Sequence, residues 1–224
     1  MIKFDDIYQI ALNHKGSINE IEYDLPASLD SKSFLEIPDD RWLANMTMCI
    51  FQAGFVWRVI RNKWPDFEIA FSKFHPRYWA QVPPEVLEAL AKDTRIVRNA
   101  QKINTVPLNA QFILDTQKTH GTFSAWVNHF EDDNLHGLYQ ELKDRGSRLG
   151  GNSAMYLMRM TGKDTYLFSN DVVSALIREK VIDKNPTSKK AKAAVNEAFC
   201  TWKQQSGRSF GEISRILAMT VWNE

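Results

Sequence analysis

Arg145 to Ala175 reads RGSRLGGNSAMYLMRMTGKDTYLFSNDVVSA, and its punctuation organises the rest of the chain. Gly150-Gly151 makes a turn that opens an amphipathic helix over Ser153 to Met160. Gly162 closes that helix, the loop KDTYLFSND follows, and Asp171 begins a second amphipathic helix. A helix N-terminus preceded by glycines leaves backbone N–H groups without intrahelical partners and carries partial positive charge, so it suits an anion such as a phosphate. Arg145, Arg148, Arg159 and Lys163 add basic charge nearby in sequence. The same glycines also fit a plain turn between two packed helices.

Outward from this stretch the periodicity stays helical. Upstream, Phe4, Ile7, Tyr8, Ala11 and Leu12 recur at helical spacing and end before Gly16, whereas 17–37 reads as a wrapped loop with short helical turns. Pro38-Asp39-Asp40 starts a helix bearing Trp42, Met46, Cys49, Ile50 and Ala53, and Gly54 interrupts it. Further helices are expected over Phe55 to Asn62, from Pro65 through Ser72, after Pro76 and after Pro83-Pro84. The stretch from Ile96 through Thr116 keeps the period across Pro107, where a kink or break is expected. Downstream, helices are expected over Phe123 to Phe130, Leu135 to Arg145, Val172 to Glu179, Lys189 to Gln204 and Phe210 to Val221. No alternating strand pattern competes, which predicts an all-α domain over 1–224 built from about a dozen short helices.

The totals narrow the function classes. With 44% hydrophobic and 25% charged residues the chain reads as a soluble globule, and no apolar run reaches the roughly 18 to 20 residues of a membrane span. The start, MIKFDDIYQI, carries acids where a secretory signal carries bases, so a cytoplasmic address is expected. Cys49 and Cys200 form no CxxC pattern, and His14, His75, His120, His129 and His136 offer no close ligand pairing. Neither metal nor cofactor is expected. A net charge of +1 neither requires nor forbids a nucleic-acid partner, because local patches decide. Lys180, Lys184, Lys189, Lys190 and Lys192 crowd the loop around Pro186, as a solvated helix face or an auxiliary phosphate contact.

The order turn, helix, Lys-Asp loop and acid at the next helix start resembles the helix–hairpin–helix DNA glycosylases. The motif would lie at approximately 135–162. That resemblance implies two helical lobes flanking a cleft for DNA and base, with backbone amides on a DNA phosphate and a carboxylate facing a flipped-out nucleotide. It places Arg148, Gly150, Gly151, Asn152 and Ser153 on the phosphate and makes Asp171 the catalytic carboxylate. Asp171 matches if the loop is one residue longer than in the alkyladenine branch; without that insertion Asn170 matches instead. An acid here also caps VVSALIREK, for about 1 kcal/mol, and the two roles are compatible. Asn152 stands where some members carry a Schiff-base lysine, which implies a monofunctional enzyme.

Three further segments, QAGFVW (52–57), DTRIVRNAQKI (93–103) and RGSRLGGNSAMY (145–156), are similar in order and spacing to 3-methyladenine DNA glycosylase I. That likeness spans roughly 39–180. It implies that Gln52, Ala53, Gly54 and Phe55 form a turn facing the gap left by the extruded nucleotide, with Trp57 lining the base pocket; Tyr156 matches a pocket tyrosine of the alkyladenine branch. Trp42 joins the candidate aromatics, although Trp42, Trp57 and Trp64 would serve as well in a core. Two features depart from glycosylase I: Cys49 replaces its base-reading glutamate, and its zinc ligands are absent. The implied activity is excision of alkylated purines such as 3-methyladenine from double-stranded DNA by a monomer. The rivals are a non-catalytic helix–hairpin–helix protein on bent or damaged DNA, and an all-α interaction protein whose glycines only turn the chain.

Overall fold

The computed structural model describes residues 1–221, so the final three positions of the expected domain, 222–224, lie outside the described residues. Among the described residues the regular structure is helical. The chain folds into two compact units. One, here the hairpin unit, comprises Asp30–Glu131 and Gly137–Thr161; the other, the terminal unit, comprises Met1–Leu29, Asp132–His136 and the chain from Gly162 onward.

In chain order the terminal unit begins with α1 (Phe4–Lys15) and α2 (Ile18–Tyr23). The hairpin unit then supplies α3 (Ser31–Leu35), α4 (Asp39–Gln52), α5 (Trp57–Asn62), α6 (Trp64–Ala70), α7 (Pro76–Trp79), α8 (Pro84–Leu90), α9 (Ala100–Ile103), α10 (Thr105–His120) and α11 (Phe123–Asn128). α12 (Leu135–Arg145) starts in the terminal unit and continues into the hairpin unit, which ends with α13 (Asn152–Met160). α14 (Asn170–Arg178), α15 (Lys189–Ser206) and α16 (Phe210–Met219) complete the terminal unit.

The hairpin unit is built around α4, whose run from Trp42 to Gln52 is buried at nearly every position. α10 packs on α4, α7 and α11, and α13 packs on α4 from its own side. The aromatic residues of α6 and of the turn after it supply a ladder: Trp64 stacks on Phe67 at 5.3 Å and on Phe74 at 5.4 Å, and Phe71 stacks on Phe74 at 5.2 Å. The helix expected through Ser72 stops at Ala70 because Ser72, Lys73 and Phe74 have φ of 47°, 55° and 58°. Such a left-handed turn costs about 1–2 kcal/mol per residue. It is offset by the stacking of Phe74 and by Arg41, which is paired with Glu68 and donates to the Lys73 carbonyl at 3.0 Å.

The break expected at Pro107 falls earlier, at Asn104 between α9 and α10. Pro107 sits in the first turn of α10, where its missing N–H would have no intrahelical partner, so the helix runs unbroken to His120.

The terminal unit closes on α16, which packs against α14, α1 and α15. Tyr166 stacks on Phe199 at 4.4 Å within its core, and the Trp202 indole donates to the Ile2 carbonyl at 3.0 Å. Ser169, Ser188 and Ser209 cap α14, α15 and α16, and Ser209 forms a full capping box with Glu212. Each cap contributes about 1 kcal/mol.

Candidate active site

The first set of site residues belongs to the hairpin unit. α12 ends at Arg145, and Gly146 follows at a position where any Cβ would lie 2.6 Å from the Leu142 carbonyl oxygen and 2.6 Å from Leu149 Cδ1. Leu149 is thereby tucked into the core, and the chain returns through Arg148 at φ 59° to Gly151 at φ 58°, ψ −136°. That second conformation suits glycine alone, and Gly151 forms the N-cap of α13 without a side chain to fill it. Gly151, Asn152 and Arg148 are exposed; Gly150 and Ser153 are half-buried.

Two residues to which the sequence assigned no role fasten this loop. Buried Asn109 on α10 accepts from the Ser147 amide at 2.7 Å and donates to the Ser147 carbonyl at 3.2 Å; Gln101 on α9 accepts from Arg148 Nη2 at 2.8 Å. The signal for Asn109 was a lone amide among the apolar positions of a long helical pattern. Arg145, itself exposed, lays its guanidinium over the Phe112 ring at 4.7 Å and donates to Thr116.

The QAG stretch forms a type II β-turn. Ala53 has φ −61°, ψ 116°, Gly54 has φ 72°, and the Phe55 amide donates to the Gln52 carbonyl at 3.1 Å. Only glycine takes that third position without strain, which explains the Gly in QAG. Gln52 is buried and serves the turn through its backbone, whereas Phe55, Val56 and Trp57 are 43%, 64% and 40% exposed. These three consecutive apolar residues stand partly in solvent.

Trp57 opens α5 and meets Tyr156 of α13 edge-on at 4.9 Å and 88°, so the structure brings these two candidates together. Cys49 lies buried on α4 with its thiol 3.2 Å from Met160 Sδ. Burial pushes the Cys49 thiol up to about 12, so it is a neutral group and no substitute for a carboxylate. Trp42 is a correction to the candidate set. It is fully buried, donates from Nε1 to Ser124 at 2.7 Å and packs on Phe34 and Phe123, leaving no ring face for a ligand. Its amphipathic position is indistinguishable from a pocket wall until the Ser124 hydroxyl is seen beneath it.

Asp171 belongs to the terminal unit. It is the second residue of α14, half-buried, one position beyond exposed Asn170. It lines a pocket of about 260 Å³ together with His14, Lys15, Arg215, Met219 and Val221. Arg215 and Lys15 share Asp24, whose carboxyl is held below the usual carboxylate range first by the hydrogen bond from Arg215. His14 donates from Nδ1 to the Met219 carbonyl at 3.1 Å. Among the described residues no helix is long and apolar enough to cross a membrane.

The same arrangement of helices occurs in DNA glycosylases of the helix–hairpin–helix fold. The 8-oxoguanine glycosylase/lyase of Methanocaldococcus jannaschii, solved with a 15mer DNA containing 8-oxoguanine, superposes with a TM-score of 0.54 at 13% identity, over 95% of each chain. The 8-oxoguanine DNA glycosylase of Thermotoga maritima gives 0.50 at 16% identity, over 96% of this chain and 93% of that one. The 3-methyladenine DNA glycosylase I of Staphylococcus aureus gives 0.52 at 21% identity, over 68% of this chain and 92% of its own. At these identities the likeness concerns the fold. The sequence itself matches the model of the methyladenine glycosylase family over residues 35–148. The chain belongs to that family, and it is a DNA glycosylase acting on alkylated bases, a hydrolase of the N-glycosidic bond.

Proposed function

We propose that the protein, as a monomer, excises positively charged alkylated purines such as 3-methyladenine from double-stranded DNA. The observation that carries this reading is the gathering, within one unit, of the glycine hairpin, the Gln52 to Phe55 turn and the Trp57–Tyr156 pair. In it, a DNA phosphate rests on the amides of Gly150 to Ser153 with Arg148 beside it, and Phe55 enters the stack as the damaged nucleotide leaves. The electron-rich faces of Trp57 and Tyr156 receive the cationic base.

Chemistry then asks little of the pocket. As the C1′–N bond breaks, its electron pair goes to the base and neutralises the charge that alkylation had placed there, so no acid has to protonate the leaving group. Neutral Cys49 is compatible with such a substrate. The sugar becomes an oxocarbenium-like cation; Asp171, as an anion, stabilises it, and water adds at C1′ with loss of a proton. Asn152 provides no amine for a Schiff base, so the product is an intact strand with an abasic site.

Incubation with methylated duplex DNA tests this directly. Chromatography should find free 3-methyladenine, and the strand should break only after alkali. DNA binding without base release would instead describe a non-catalytic reader of damage.

A further inference from the structure

We propose that Lys102 is a positioning residue for base extrusion: its ammonium fixes the peptide orientation of the Gln52 to Phe55 turn and thereby the pose of the Phe55 ring. The inference rests on the reading that this turn meets DNA. Lys102 Nζ donates to the Ala53 carbonyl at 2.6 Å and to the Phe51 carbonyl at 3.1 Å, and the residue is only 5% exposed. The Phe55 ring lies over the same ammonium at 5.0 Å.

The Ala53 carbonyl is the decisive group in this turn. Types I and II differ chiefly by a flip of the central peptide, and a type II turn sends the carbonyl of its second residue to the opposite side. In this turn that carbonyl belongs to Ala53, and its acceptor is held by Lys102. The last carbonyls of α4 also carry the negative end of the helix dipole, so a cation is well placed there. A neutral side chain of similar length would fill the space but would leave two carbonyls without this donor and the peptide free to flip.

The lysine is itself rigidly mounted. Asn99 accepts from the Lys102 amide at 3.1 Å, and the Thr105 hydroxyl donates to the Lys102 carbonyl at 2.6 Å. The same short segment holds the hairpin loop through Gln101 and Asn109. Residues 99–109 thus fasten both proposed DNA-contacting loops to one support. Burial first, and the charge of Arg148 second, lower the Lys102 pKa, so a charge at this point opposes simple packing economy.

The test compares full-length wild type, Lys102→Met and Phe55→Ala on a duplex carrying a methylated base with 2-aminopurine beside it. Single-turnover excision at saturating protein, DNA affinity and the fluorescence rise on extrusion are read together. Misplacement of a positioning group by about 1 Å can cost 10²-fold, so Lys102→Met should lose about 10- to 100-fold in rate, and the fluorescence rise with it, at an affinity within about threefold. Lys102→Gln, which keeps a donor without the charge, replaces the methionine variant should that one fail to fold, with a smaller loss of the same kind. Wild-type excision by Lys102→Met beside an impaired Phe55→Ala overturns the proposal and leaves the DNA-facing turn standing. Rate and affinity falling together in Lys102→Met also overturn it, as a purely structural lysine would. Unimpaired excision by both variants removes the turn from DNA and the proposal with it.

Discussion

The proposed function takes a different form in each of the two units. In the hairpin unit it is carried by backbone: a glycine cap at φ 58°, a type II turn with glycine at φ 72°, and an apolar ridge held up by that turn. In the terminal unit it is carried by one side chain, Asp171, on a helix whose other features are ordinary capping and packing. The family match follows the same division, since residues 35–148 lie in the hairpin unit except for 132–136. Binding a repeating phosphate backbone needs a fixed chain path, whereas stabilising a sugar cation needs one anion in one place. The first demand marks many residues and the second marks one.

Separate variants should therefore separate the functions. The largest effect is expected from Asp171→Asn: removing a group that meets developing charge costs roughly 10²- to 10³-fold in rate, and single-turnover base release should show it with DNA affinity within about twofold. Loss of affinity alone would make Asp171 a binding residue. Next comes Gly151→Ala, which places a Cβ on a conformation suited to glycine and costs on the order of 1–3 kcal/mol of strain. The free loop sheds that strain by leaving the conformation that presents its amides, and restoring it on binding should weaken affinity about tenfold in anisotropy with labelled duplex, since about 1.4 kcal/mol corresponds to a factor of ten.

The smallest effect concerns Cys49. Its thiol pKa is raised from 9.0 to about 12 in the folded chain, so between those values the unfolded state releases a proton that the folded state keeps. Stability is then lost as pH rises, with a slope from this group of up to about 1.4 kcal/mol per pH unit. Cys49→Ala lacks the component, and its deficit against wild type should narrow between about pH 8 and about pH 10 in urea melts. Parallel melts would mean that the thiol meets solvent.

Much of the fold was legible because helix punctuation is local. Gly16 closes its helix at φ 85°, Pro65, Pro76 and Pro84 open theirs, and these need no tertiary contact to be read. The glycine hairpin and the interruption at Gly54 were legible for the same reason, whereas the Gln52 to Phe55 turn was implied by the family likeness. Lys102 was not, although it stood inside a segment singled out for its family likeness. A lysine in AQKINT reads as solvated, and only the carbonyls some fifty residues upstream bury it. Trp42 misled in the opposite sense, because the pattern of α4 gives core and pocket tryptophans the same register. Asp171 and Asn170 are adjacent positions that follow a loop whose length no local rule fixes, and α14 begins with the pair.

The division of labour is tested most directly by measuring two quantities on two variants. For Asp171→Asn and Gly151→Ala, the single-turnover rate at saturating protein and the equilibrium affinity for the same methylated duplex are determined side by side. The rate should collapse only in the first and the affinity only in the second. A fall of both quantities in both variants, or full excision by Asp171→Asn, would contradict the assignment of binding to the hairpin and of chemistry to the carboxylate.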